Sequence, residues 1–205
     1  RNFEIRKHLL EYDDVMNSQR EFIYKERNEI LEGEDISYKI REYMDEICEG
    51  GVDTFSQGMK KVGDWDVEGL KLWTKSRFLV DLDDIDIERS DLAQEFQTRL
   101  TKSYEAKEAE LGPENMRTLE RMITLQVIDS KWREHLLSMD ELRDGIWTVG
   151  YSERNPLVEY KLQGFSIFND MLASMKEDII EFLMKVQVRE VLQEEEEIGR
   201  ASCRE

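Results

Sequence analysis

Along the first thirty positions, apolar residues recur in alternating steps of three and four. Ile5, Leu9, Tyr12, Met16, Ile23 and Ile30 carry the repeat, and Gln19 and Glu26 stand in it as polar breaks. Such spacing lays one stripe along a helix and predicts a coiled-coil-like rod over 2–32. The rod would be roughly 45 Å long at the helical rise, with Gly33 as its stop. A second helix is expected from Asp35, with Ile36, Ile40, Tyr43, Met44 and Ile47 on one side, ending at Gly50-Gly51. Gly58, Gly63 and Gly69 are then interleaved with Trp65 and Trp73, which predicts short helices joined by turns. Asp66 is placed to cap the helix bearing Leu70 and Trp73. Ser90 or Asp91 would cap the helix bearing Leu92, Phe96 and Leu100. Leu111-Gly112-Pro113 closes the block, since Gly suits the residue after a helix and Pro the first residue of the next.

Two longer patterns follow. Leu119, Met122, Leu125, Ile128, Trp132, Leu136, Met139, Leu142 and Ile146 repeat at helical spacing, and so do Leu157, Tyr160, Phe165, Phe168, Met171, Leu172, Met175, Ile179, Leu183 and Val186. The connection from Trp147 to Pro156 is short, which predicts an antiparallel helical hairpin sealed by Trp132, Phe165 and Phe168. Residues 190–205 are acidic and then polar, and are expected to be disordered. No alternating pattern is long enough for a sheet, so the fold class is all-α.

Composition fits this picture. Hydrophobic residues are 40% and charged residues 37% of the 205, a balance suited to thin helical layers, each exposing most of its surface. A net charge of −18 repels phosphate backbones and argues against nucleic acid as a partner. Cys48 and Cys203, far apart, give no disulfide framework and point to a reducing compartment. No apolar run approaches the roughly 20 residues needed to span a bilayer, and no signal peptide is visible. The helical pattern is already running by Phe3, so the chain reads as a piece of a longer protein.

Candidate chemistry is sparse. There is no Gly-x-x-x-x-Gly-Lys-Ser/Thr loop and no Gly-x-Gly-x-x-Gly, and His8, His135, Cys48 and Cys203 are too scattered for a zinc site. A di-iron bundle needs Glu-x-x-His, but Ile5 and Trp132 stand three residues before the two histidines. No catalytic residue, metal or cofactor is therefore expected within these residues. Asp13-Asp14 lies in a helical context and reads as a solvated or interface-pairing face. His135 reads as a packing or hydrogen-bonding histidine, and Trp132 as core. The connection around Tyr151 is open to two readings: a turn with an exposed aromatic, or a fingertip that touches another chain.

In order and in detail, these pieces resemble the SecA family of bacterial protein-translocation motors. RNFEIRKHLLEYDDVMNSQR is similar to the start of the long helix of its helical scaffold domain. LQVIDSKWREHLLSMDELRDGI, Leu125 to Ile146, resembles the first helix of its two-helix finger. Gly150-Tyr151 and Asn155-Pro156 match the finger loop. FSIFNDMLASMKEDI, Phe165 to Ile179, and KVQVRE, Lys185 to Glu190, match the second helix and its end. The middle, with Asp64-Trp65-Asp66 and Gly69-Leu70, looks like the helical wing domain.

The resemblance implies a division into a long scaffold helix (1–32), an inserted wing (33–112), continued scaffold with the finger (113–190) and an acidic tail (191–205). It implies a role in coupling ATP hydrolysis to the passage of preproteins through the SecYEG channel. ATP and Mg would belong to motor domains that precede this region. Partners would be those motor domains in cis, the channel, the preprotein and a second SecA copy. The location would be cytoplasmic and peripheral on the cytoplasmic face of the bacterial inner membrane. By the same resemblance, Tyr151, with Gly150, Trp147 and Arg154, contacts preprotein or channel, and Asp13, Asp14, Arg20 and Trp132 serve the motor-domain interface and its regulation. Trp147-Thr148-Val149 makes the approach to the loop more apolar than the Arg- or Lys-containing loops common in the family. The family's cysteine-rich zinc motif, through which SecB binds, has no counterpart in Cys203 alone. A non-catalytic coiled-coil adaptor is the alternative, and it leaves the tryptophan-bearing wing and the ordered motif series unexplained.

Overall fold

A computed structural model describes residues 2–57, 64–85, 91–149 and 155–186, with side chains described from Leu10 on and not for 147–149. Among the described residues six helices follow one another: α1 (Asn2–Glu32), α2 (Ser37–Ser56), α3 (Val67–Phe78), α4 (Leu92–Leu111), α5 (Pro113–Val149) and α6 (Pro156–Lys185). Among the described residues there is no strand, so the fold class is all-α. The chain divides into two units, 1–34 with 121–179 and 35–120 with 180–205, and the divisions fall inside α5 and α6.

The first unit holds α1 and the facing parts of α5 and α6. The α1 stripe packs as its spacing demands: Tyr12, Gln19, Ile23 and Ile30 are buried and Met16 is half-buried. Along the hairpin, Met139 faces Gly164, and Lys131 reaches Ser174 and Asp178. As α5 numbers fall, α6 numbers rise, so the two helices are antiparallel. At the end nearest their connection, Tyr12, Met139, Ile146 and Tyr160 form one cluster, with Val15, Met16, Leu142 and Leu157 around it.

The second unit is built on α2, which packs against α3 and α4. Asp66 caps α3 by accepting from the Gly69 amide at 2.9 Å, and Asp91 caps α4 by accepting from Ala93 and Gln94. Each such cap satisfies an amide that the helix itself leaves unpaired. Gly112, at φ 80°, ends α4, and Pro113 begins α5. Lys107 donates to the carbonyls of Leu183, Met184 and Val186, tying α4 to the last turn of α6.

Four expectations are corrected. Gly50-Gly51 does not end α2, which runs on to Ser56. Gly51 is there for closeness: a Cβ on it would lie 2.5 Å from the Trp73 ring, so glycine lets α3 lie against α2. Trp147-Thr148-Val149 belongs to α5 and not to the connection. Phe165 is 66% exposed and does not seal the hairpin; Trp132 and Phe168 are buried. Met122 is likewise exposed, and its neighbour Ile123 takes the inner position. In both places the apolar pattern is wider than the stripe that finds a partner. The expectations for Gly58, Gly63, the Ser90 cap, the 150–154 connection and the 190–205 tail lie outside the described residues.

Candidate functional site: the seam between α1 and the hairpin

The first unit brings α1 against both hairpin helices along one seam. Tyr12 meets Tyr160 edge-on at 4.8 Å, and Phe22 meets Phe168 edge-on at 5.8 Å. Arg27 makes a two-pronged ion pair with Asp129 at 2.9 and 3.3 Å. Such contacts run parallel along α1 and α6 and antiparallel along α1 and α5.

At mid-seam the stripe turns polar. Gln19, 7% exposed, donates through Nε2 to the Gly164 carbonyl at 3.1 Å, and its Oε1 lies 2.8 Å from His135 Nε2. His135, 2% exposed, stacks on Trp132 and tilts against Phe168. The pattern assigns the protons. A carbonyl can only accept, so Gln19 must turn its amide nitrogen to Gly164 and its oxygen to His135. His135 Nε2 then carries the hydrogen, and Nδ1 is a bare lone pair that finds no partner among the described residues. Gly164 makes room: a Cβ there would lie 2.8 Å from the Met139 methyl and 3.8 Å from Val15. Leaving the buried His135 donor without its acceptor would cost about 1–3 kcal/mol.

Burial holds the His135 pKa below its ordinary value near 6.5. As pH falls, the unfolded chain therefore binds a proton before the folded one does. Stability is full above about pH 6.5 and declines as pH drops through that value toward the lowered folded pKa. The denaturant midpoint is expected to fall between roughly pH 7 and about pH 5, and to fall less in His135→Gln. An equal loss in the two proteins would count against this assignment.

Of the residues singled out in the sequence, Trp132 is buried beside His135, whereas Asp13, Asp14 and Arg20 lie on the exposed side of α1. Arg20 donates to Asn17 Oδ1 at 3.0 Å, and the Asp14 carbonyl accepts from the Ser18 hydroxyl. Trp147 lies in the last turn of α5, while Gly150, Tyr151 and Arg154 fall outside the described residues. Asn155 accepts from the Leu157 amide at 3.0 Å, and so caps α6. Sequence reasoning missed Gln19 as a site residue. A polar residue at a heptad position opposite the turn that carries His135 was the available signal.

A second buried polar group lies in the other unit. Tyr104 donates to Glu120 Oε1 at 2.6 Å. Arg117 donates to Tyr104, Glu108 and Glu120 at 2.9, 2.6 and 2.9 Å. Burial raises the Glu120 pKa, and the Tyr104 hydrogen bond and Arg117 charge oppose it. Burial likewise pushes the Cys48 thiol up to about 12, which keeps it protonated and unreactive. Among the described residues there is no group of three or more His, Cys, Asp and Glu that could hold a metal ion, and no helix long and apolar enough to cross a membrane.

A long helix sharing one seam with a helical hairpin, with a small helical unit inserted in sequence between them, defines a scaffold-and-wing type of helical region. The chain belongs to the SecA wing and scaffold domain family, whose profile matches residues 1–187. It is 46% identical over 195 residues to the protein translocase subunit SecA of Leptospira interrogans serovar Lai, covering 92% of this chain and 21% of that protein. It is 40% identical over 199 residues to the SecA subunit of Leptospira biflexa and 39% over 193 residues to that of Pelotomaculum thermopropionicum, with 92% of this chain covered in each case and 21% and 22% of those proteins. The chain thus spans about a fifth of the length of these relatives.

Proposed function

We propose that this region carries motion within a SecA translocase, from ATP-hydrolysing motor domains elsewhere in the protein to a preprotein entering the SecYEG channel. One observation supports it above the others: α1 is tied to both hairpin helices by aromatic, polar and ionic contacts spread from Tyr12 to Arg27. Helices with internal axial hydrogen bonds, joined at several levels, move as one lever. ATP and Mg act in the motor domains, at the cytoplasmic face of the bacterial inner membrane, and no bond is made or broken in this region.

In this reading Tyr151, flanked by Gly150 and Arg154 and approached through Trp147, touches the moving polypeptide. An aromatic side chain there makes sequence-tolerant contacts at low entropy cost. The exposed Asp13, Asp14 and Arg20 face the motor domains, and Trp132 supports the seam behind them. A second SecA copy is a further partner. Tyr151→Ala in the full-length protein is expected to lower preprotein translocation about tenfold, a loss equivalent to ~1.4 kcal/mol, and to leave basal ATP hydrolysis near the wild-type rate. Unchanged translocation across several unrelated preproteins would rule the contact out.

A further inference from the structure

We infer that Gln19 and His135 are positioning residues that fix the register of α1 along the hairpin, and so set where the hairpin stands for a given position of α1. This rests on the lever reading above and adds the device that keeps the lever from slipping. Three other ties across the seam specify register poorly. Tyr12–Tyr160 and Phe22–Phe168 are aromatic packing, which tolerates displacement, and Arg27–Asp129 is exposed on both sides and so weak. The Gln19 amide is different. It is buried, it spends both of its polar ends on two different helices, and the Gly164 carbonyl, which can only accept, fixes which end goes to which helix.

A slip of α1 by one seam position brings Met16 or Ile23 opposite His135, and neither can take its proton. A slip by a heptad brings Glu26, which accepts but, ionised, has nothing to donate to the Gly164 carbonyl, or Tyr12, whose ring is bulkier than the amide it would replace. The arrangement parallels a single polar residue at a core heptad position, the best-attested use of buried polarity for choosing one register among several.

The test uses the full-length protein with spin labels at the exposed Asn28 of α1 and Asp170 of α6. The variants are the apolar pair Gln19→Met with His135→Leu and the single Gln19→Met. Wild type should give one narrow label-to-label distance. The apolar pair should keep or exceed wild-type thermal stability, since two buried partners are removed together, yet give a broadened or second distance. Preprotein moved per ATP hydrolysed should fall about twofold, as for two registers equally filled. If the pair does not fold, Gln19→Met alone carries the distance measurement. One unchanged narrow distance overturns the inference, even if coupling falls. If wild type itself moves no preprotein, the lever reading fails, and the distances still decide the register.

Discussion

Replacing Arg117 by Met should lower the unfolding free energy by about 3–5 kcal/mol, the usual result of removing one partner from a buried charged group. Glu120 is 0% exposed and depends on Arg117 and Tyr104 for its polar contacts, and its Oε2 already finds no partner among the described residues. Without the guanidinium the carboxylate keeps the full penalty of burial. Tyr104 and Glu108 each also lose a contact. The deficit should depend on pH, and its sign follows from Glu120. Its folded pKa is raised by burial even with Arg117 present, and loss of that cation raises it further. A raised folded pKa stabilises below the unfolded value and loses that contribution as pH rises through the folded value. The gap between Arg117→Met and wild type should therefore narrow as pH is lowered from about 7 toward 5. Chemical denaturation at several pH values checks both parts. A gap below about 1 kcal/mol, or one that is flat with pH, would show that Glu120 does not carry a buried charge.

Phe96→Ala should lower stability by a similar amount, about 3–5 kcal/mol. Phe96 is fully buried and meets Trp73 and Phe78 at 5.8 Å each, while Trp73 meets Phe78 edge-on at 5.0 Å. These rings join α3 to α4, and Trp73 is also held against α2 at Gly51. Truncation removes apolar contact from both rings and leaves a hole that a Trp73 pressed on Gly51 is poorly placed to fill. Phe96→Leu refills much of the space and should cost less than about 1.5 kcal/mol. Thermal melts of the two variants, followed by tryptophan fluorescence, separate the outcomes. Equal, small losses would mean that the ring cluster relaxes freely.

Phe96 lies where a single residue was readable in the sequence but its partners were not, whereas no pattern in the sequence marked Arg117, Tyr104 or Glu120. Phe96 was legible as an inner-face residue and Trp73 as a residue of a separate helix, while the pressure of Trp73 on Gly51 was not. A glycine pair reads as a stop when only the chain neighbours are known, and as a contact surface once a ring from another helix lies on it. Phe165 erred in the opposite direction. It has the right spacing and the right chemistry, but it lies 66% exposed at a groove with Phe22 and Phe168 instead of closing the seam. His135 was read as a packing or hydrogen-bonding residue and is both, yet its acceptor stands 116 positions away.

Periodicity, caps and the Gly112-Pro113 break determined the helices, because these signals act over a few residues through backbone sterics and orphan amides. The ordered motifs determined the family, because long matching segments in one order identify it without any contact being known. What only the tertiary structure decided is which polar breaks are breaks. Gln19 interrupts an apolar repeat in the sequence, but in the fold it joins three helices, since the value of a buried amide depends on groups that chain distance cannot bring into view.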